Sequence, residues 1–381
     1  MAIIIRAAQG AQDIPAGFPI LLSSEMQIIE PAFAYLLEQA QLHAYSAETV
    51  RTYGEHLYDW FDSLEQSGLD WRDVDEATIA AYRNRMLEAP SPHTGRPYAR
   101  STINDRVRSV CRFYAWAHRR RMIDELPFSV RDAPAVRPKA MGFLAHAAGK
   151  PSPINTLSIT EYETLPRPLR VSDLHRLRAA LDMPYRLMAE WAVTTGMRRM
   201  ELCALRAKQI PRSEGLHLDD DPLVGVALTV AKGGRRRTVY PPLRLLDRTN
   251  WYIGEDRAAL IGRLRRSHPE YRLPPELFLN RHARPITRAR LSAAFAKAFA
   301  AAGLTGTAHW LRHTFAMIML VRLQEEASCK PEINPLKVLQ VLLGHASIQT
   351  TATYLRCVEL HADEVADTIA YLYGAAVDDA A

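Results

Sequence analysis

Apolar positions recur with helical spacing along the first third of the chain. Ser46 can accept an N–H of a first helical turn. Val50, Tyr53, Leu57, Phe61 and Leu64 then line one face until Gly68 stops the helix. A second helix is expected around Ile79, Tyr82 and Met86, and a third from Ser101 that buries Ile103, Val107, Val110 and Tyr114. Residues 29–130 therefore read as a small all-helical domain. Ahead of them, residues 1–28 contain Gly and Pro without a clear period and are expected to form an irregular leader. After them, residues 131–168 hold Pro134, Pro138, Pro151, Pro153, Pro166 and Pro168 and read as a linker.

The helical pattern returns near Leu169, opening a second domain over residues 169–373 with a tail at 374–381. Ser172 can cap a helix with Leu174, Leu177 and Leu181 inward, and another helix runs from about Pro184 to Thr195 and stops at Gly196. Residues 224–241 change period: Val226 to Val230, a Gly233-Gly234 turn, then Thr238-Val239-Tyr240, which is a β-hairpin signal. Helices are expected to resume after about Arg288. Asn334-Pro335 is an N-cap followed by proline at the first helical position. Leu336, Leu339, Val341 and Leu342 are expected inward, and Gly344 ends that helix. Further on, Val358, Ala362, Val365, Ile369 and Leu372 form a stripe suited to packing on a groove, either of a neighbouring subunit or of its own. The expected fold class is mainly α in two domains, the second mixed but mostly helical with one small antiparallel hairpin.

The 381 residues suffice for two cores, and 48% apolar with 24% charged residues describes a globular protein. Four cysteines lie far apart with no Cys-x-x-Cys pair, which points to reduced thiols and a cytoplasmic location. No apolar run reaches membrane-spanning length, so no membrane partner is expected. The net charge of +6 favours an anionic partner only mildly. The distribution of charge says more. From Arg83 to Arg121 there are ten arginines against Glu88 and Asp105. Of these, Arg83, Arg85, Arg100, Arg106, Arg108, Arg112, Arg119 and Arg120 are the candidate contacts to the phosphates of double-stranded DNA, because solvated helix faces usually mix signs.

Candidate chemistry is spread over the second domain. Thr195-Gly196-Met197-Arg198-Arg199-Met200-Glu201-Leu202 puts Arg198 just inside a helix start, where free N–H groups suit a phosphate. His309-Trp310-Leu311-Arg312-His313 brings His309, Arg312 and His313 to one helix face. An arginine between two histidines argues for an anion there rather than a metal. His345 follows the helix stop at Gly344, and Tyr354 lies nine positions after it, near the second turn of a helix capped by Ser347.

Taken together and in this order, these segments resemble the tyrosine recombinase (phage integrase) family. Its Thr-Gly-x-Arg-x-x-Glu-Leu pattern matches residues 195–202, its hairpin lysine matches Lys232, its His-x-Leu-Arg-His matches 309–313, and its Leu-Gly-His with a tyrosine nine residues on matches 343–345 and Tyr354. The resemblance covers roughly residues 28–373 and implies a SAM-like core-binding domain followed by a catalytic domain. It implies a site-specific DNA recombinase with catalytic residues Arg198, Lys232, His309, Arg312 and His345, and Tyr354 as nucleophile. Arg198 and Arg312 would clamp the phosphate, His345 would add a hydrogen bond to it, Lys232 would protonate the leaving 5′ oxygen, and His309 would accept the Tyr354 proton or position the phosphate. Adjacent arginines would ease formation of the Tyr354 phenolate. The product would be a 3′-phosphotyrosyl link, made without metal or other cofactor. The implied assembly is a homo-tetramer on a specific DNA site, or one shared with partner recombinases, formed from a free monomer or dimer. Integration, excision or transposition of a mobile element, resolution of replicon dimers, type IB topoisomerase-like relaxation and a non-catalytic accessory role are the uses left open.

Overall fold

The computed structural model describes residues 1–8, 14–92, 94–131, 154–155, 157–161, 168–212, 224–229 and 237–360; at 130–131, 154–155, 356 and 359–360 only the backbone is described. Lys232, the Gly233-Gly234 turn, most of 131–168, the stripe beyond Val358 and the tail at 374–381 lie outside the described residues. The chain divides into two compact units, Met1–Glu163 and Thr164–Ala381.

The first unit is built on four helices: α1 (Glu30–Gln41), α2 (Ala47–Ser67), α3 (Glu76–Glu88) and α4 (Arg100–Arg119). Ser46 Oγ accepts from the Thr49 N–H, as its sequence position implies, and Asp75 caps α3 in the same way through Thr78. The third helix starts at Arg100 behind Ala99 rather than at Ser101. The apolar faces meet in an aromatic core in which Trp60, Phe113 and Tyr114 are fully buried. Tyr82 and Tyr114 both meet the Trp60 ring edge to face.

Two expectations need correction here. Residues 1–28 are not an irregular leader: β1 (Ile3–Arg6) pairs antiparallel with β2 (Pro19–Leu22), Ile3 opposite Leu22. Phe18 and Leu21 join the helical core, and the Ala2 N–H donates to Asp62 at 2.7 Å. Strands of four residues are too short for a period to stand out, so long-range packing decides them. The expected linker is also bound where it is described. Its β4 (Ile154–Asn155) pairs with β3 (Val130–Arg131), and Leu157 is buried in the helical core. The Asn104 amide then treats Ile159 as a strand partner, donating to its carbonyl at 2.9 Å and accepting from its N–H at 3.0 Å.

The second unit contains α5 (Val171–Ala179), α6 (Tyr185–Thr195), α7 (Arg199–Ala204), β5 (Val226–Leu228), β6 (Arg237–Val239), α8 (Leu243–Tyr252), α9 (Ala258–Ser267), α10 (Arg288–Ala301), α11 (Ala308–Cys329), α12 (Pro335–Leu343) and α13 (Ile348–Leu360). β5 and β6 form the expected antiparallel pair, Val226 opposite Val239. Helices resume at Leu243, well before Arg288; a π turn (Ile253–Arg257) joins α8 to α9 and blurs a single helical period. The first helix starts at Val171 with the Asp173 carboxylate on the Arg170 N–H, so Ser172 is not its cap.

α11 is the central member and packs against α6, α12 and α13. Phe315 and Leu320 on α11 bury Leu336, Leu339 and Leu343 of α12 and Tyr354 of α13. Those three leucines fall at i, i+3 and i+7, whereas Val341 is turned away and is 64% exposed, contrary to expectation. No described helix is long and apolar enough to cross a membrane.

Candidate active site

Arg198 is the N-cap residue of α7, and Glu201, one turn on, reaches back to it. One Glu201 oxygen accepts from the Arg198 backbone N–H at 2.7 Å and the other from its guanidinium at 3.0 Å. The Glu201 side chain is fully buried, and on its other side lies Arg237, the first residue of β6, whose Nη2 is 2.6 Å away. Burial works against the Glu201 carboxylate. The hydrogen bond and charge of Arg237, with those of Arg198, outweigh it and hold the group below its ordinary pKa. Glu201 is thus ionised, flanked by two arginines from different elements.

Three arginines then converge on the carbonyls left over at two helix ends. Arg237 donates to Leu342 O and to Gly196 O, Arg312 donates to Gly196 O and to Leu343 O, and Arg198 donates to Gly344 O. The acceptors are the last carbonyls of α12 and the C-cap of α6, which have no partner inside their own helices and carry the negative end of the helix dipole. Two glycines permit this. Gly196 and Gly344 sit at φ +62°, and a Cβ would lie 2.5 Å from Phe315 Cδ1 at the first and 2.7 Å from Arg237 Cδ at the second. Both are forced by conformation and by space.

Arg312 is 1% exposed. Burial, and then the charges of Arg198 and Arg237, lower its pKa to about 9. Its Nη2 also donates to His345 Nε2 at 3.0 Å, while His345 Nδ1 pairs with Thr351 Oγ1 at 2.9 Å. Arginine can only donate, so His345 Nε2 bears the lone pair and Nδ1 the proton. Burial and the neighbouring cations drop the His345 pKa to about 4, so this ring is neutral at pH 7.

Tyr354 stacks near-parallel to His345 at 6.4 Å between ring centroids and is 4% exposed. Its hydroxyl is 2.9 Å from Nδ1 of His313. His313 in turn meets the His309 ring edge to face at 4.3 Å, and His309 itself lies at the exposed start of α11. Burial raises the Tyr354 pKa to about 12, and the charges of Arg312 and Arg198 only partly offset it. The two arginines do ease its ionisation, as expected, but in this state desolvation outweighs them. The hydroxyl is thus held by His313, one turn beyond the His309 expected to accept its proton or position the phosphate.

Arg198, Arg312, His345 and Tyr354 thus share one locus and His309 lies at its edge, while Lys232 is outside the described residues. Three guanidiniums (Arg198, Arg237, Arg312) face one carboxylate (Glu201), leaving two positive charges in a largely buried site. Such a site suits an anion and repels a cation. Among the described residues no group of three His, Cys, Asp or Glu could hold a metal. Sequence reasoning missed Arg237 and Thr351, and it placed His313 on the helix face and Glu201 in the motif without giving either a role. Glu201 carries a local signal in its spacing from Arg198; Arg237 carries none, since only the fold brings β6 to the ends of α6 and α12.

The arginine-rich face of the first unit splits in two. Arg83 and Arg100 are half-buried and donate to Leu157 O at 3.1 Å and Thr160 O at 3.0 Å. Arg106, whose side chain is only 14% exposed, pairs with Asp59 at 2.5 Å and lies over the Tyr98 ring. Arg106 is thus engaged inside the unit, while Arg83 and Arg100 brace backbone carbonyls from partly exposed positions. Arg85, Arg108, Arg112, Arg119 and Arg120 are exposed, with rim partners such as Asp105 for Arg108 and Glu38 for Arg120.

Comparison with known proteins gives two family matches. Residues 167–360 match the model described as phage integrase family, and residues 33–121 match the phage integrase N-terminal SAM-like domain. Tyrosine recombinase XerC of Halalkalibacterium halodurans is 25% identical over 333 residues, 87% of this chain and 93% of that one. Among solved structures, a lambda integrase dimer bound to a COC' core site aligns with TM-score 0.55 at 16% identity, over 85% of this chain and 94% of that one. XerH site-specific recombinase bound to palindromic difH substrate, in a post-cleavage complex, aligns with TM-score 0.54 at 17% identity over 91% of each chain. The two structural likenesses establish the fold.

Proposed function

The chain belongs to the phage integrase family of tyrosine recombinases, and from that premise we propose that it cleaves and rejoins DNA at a specific site through a 3′-phosphotyrosyl link on Tyr354. The observation that carries this reading is the buried excess of positive charge beside a buried tyrosine hydroxyl. A phosphodiester brings one negative charge, and more develops on its non-bridging oxygens during in-line attack. Arg198 and Arg312 offer planar paired donors to those oxygens, in a site whose geometry is fixed in advance by Glu201, Arg237 and the helix-end carbonyls. Once Arg312 is drawn to the anion, His345 can donate to the phosphate from Nε2 in the other neutral tautomer, with Nδ1 then accepting from Thr351 Oγ1. His309, at the exposed edge, positions the phosphate or its flanking group. Lys232 protonates the departing 5′ oxygen, and the 5′-hydroxyl of another strand reverses the attack.

The scheme uses no metal and no nucleotide. Exposed Arg85, Arg108, Arg112, Arg119 and Arg120 supply phosphate contacts from the first unit to duplex DNA. Four copies assemble on two duplexes, with the segment after Val358 contributing to that contact. Of the natural uses, we favour movement of a mobile element over resolution of replicon dimers.

A nicked suicide duplex tests the chemistry and a two-site plasmid tests the reaction class. Strand exchange between two copies of one sequence supports recombination. Relaxation of any supercoiled plasmid without exchange indicates a topoisomerase-like activity instead. Binding with no covalent adduct at all would reduce the protein to an accessory factor. Sequencing the DNA in the adducts identifies the site and, through it, the biological role.

A further inference from the structure

His313 is one turn beyond His309 on α11 and belongs to none of the roles assigned above. It is the residue against which the Tyr354 hydroxyl is held, 2.9 Å from Nδ1. The hydroxyl keeps its proton in this buried setting, and the imidazole is neutral: burial first, then the charges of His309 and Arg312, lower its pKa to about 4. A phenol and a neutral imidazole at this distance form their bond with the O–H as donor when Nδ1 carries the lone pair, which leaves the proton on Nε2. The groups facing His313 are Tyr354 from α13 and His309 and Arg312 from its own helix. His309 is exposed, so this pair of rings runs from the buried tyrosine to solvent.

We propose that His313 is the general base for Tyr354. Resting on the recombinase reading, the step balances within the site. The Tyr354 Oη–H bond breaks and its proton passes to His313 Nδ1 as Oη bonds to phosphorus. The bond from phosphorus to the 5′ oxygen breaks, and that oxygen leaves with the Lys232 proton. In religation the imidazolium returns its proton to the tyrosine. The arrival of a phosphate anion near Arg312 favours the imidazolium, because it offsets the cationic part of the shift, which adds to the larger effect of burial. His345 cannot take this role in the described geometry, since its Nε2 is occupied by Arg312 and its Nδ1 by Thr351.

The test is the single-turnover rate of covalent adduct formation by the full chain on a nicked suicide duplex, for the wild type, His313→Ala and His313→Asn. Loss of a general base slows the step by about a hundredfold or more. His313→Ala should bind DNA normally in a gel shift, form adduct at least that much more slowly, and regain rate on adding imidazole. Across substituted imidazoles the regained rate should rise with their basicity, which a merely structural role would not produce. His313→Asn keeps an oxygen near the Nδ1 position but cannot take up a proton. It should fold and remain slow, and it carries the test if alanine disturbs the site. Adduct at near wild-type rate in either variant overturns the proposal, as does a slow, DNA-binding His313→Ala that no imidazole restores. Failure of the wild type itself to form adduct would instead count against the recombinase reading, so the two failures are distinguishable.

Discussion

Replacing Arg237 with methionine keeps the length of the side chain and removes the cation that joins β6 to the ends of α6 and α12. Glu201 is buried and loses its 2.6 Å partner, and Leu342 O and Gly196 O each lose a donor. Breaking a buried ion pair from one side costs about 3–5 kcal/mol, because the other charge is left without compensation. Glu201 keeps Arg198 at 3.0 Å and the Arg198 N–H at 2.7 Å, so the lower end applies. We expect a loss of about 3 kcal/mol from the second unit. Glu201→Gln alone leaves Arg198 and Arg237 facing one another without a carboxylate and should cost a comparable amount. The double variant should cost less than the sum, with a coupling of about 1–3 kcal/mol. Urea unfolding of the full chain followed by far-ultraviolet circular dichroism reads these differences, and hydrogen exchange of the α6 and α7 amides assigns them to this unit. A loss below about 1 kcal/mol for Arg237→Met, or single effects that add within about 0.5 kcal/mol, would refute the idea that this pair sets the site.

Gly344→Ala should lower stability by about 1–2 kcal/mol for the left-handed backbone and about 1–3 kcal/mol for the contact with Arg237, seen as a drop in Tm; an unchanged Tm would count against the close approach. Acid should weaken the second unit. His313 and His345 are lowered from 6.5 to about 4, so the unfolded chain binds more protons between those values, and stability present at pH 7 falls as pH drops from about 6.5 toward 4. Discounted for partial exposure, the loss from pH 7 to pH 5 is about 2 kcal/mol in all, and a stability that is flat over this interval would contradict the neutral histidines. In the first unit, Arg106→Met should destabilise by about 2 kcal/mol by uncovering Asp59, which Tyr82 and Arg85 only partly satisfy. Arg119→Ala should leave stability within about 0.5 kcal/mol and lower the salt slope of DNA binding by about 1; the reverse pattern would overturn the division of the arginines into internal and exposed sets.

Much of the framework is legible in the sequence because it rests on local rules. Ser46, Asn334, Gly196 and Gly344 mark helix ends by chemistry that acts within four residues, and the structure has them in those roles. The grouping of Arg198, Arg312, His345 and Tyr354 was readable only as a resemblance; no spacing in the chain says that α7, α11 and α13 meet. What stayed hidden depends on long-range contact. Arg237 opens a three-residue strand and shows no sign of its partners, which lie 36 and 105 positions away in Glu201 and Leu342. The short strands at Ile3–Arg6 and Pro19–Leu22 pass for a leader because packing on α2 creates them. A run of arginines reads as one charged face, although Arg106 owes its place to Asp59, a residue on another helix. His313 was visible on the helix face, but only the fold shows that it holds the tyrosine hydroxyl.

The most direct test of the central claim is peptide mapping by mass spectrometry of the covalent complex trapped on a pool of nicked duplexes. The account predicts a 3′-phosphonucleotide on the peptide that contains Tyr354. Tyr354→Phe should bind the same DNA and yield no such species. A nucleotide carried by any other residue, or an adduct that survives Tyr354→Phe, would contradict it.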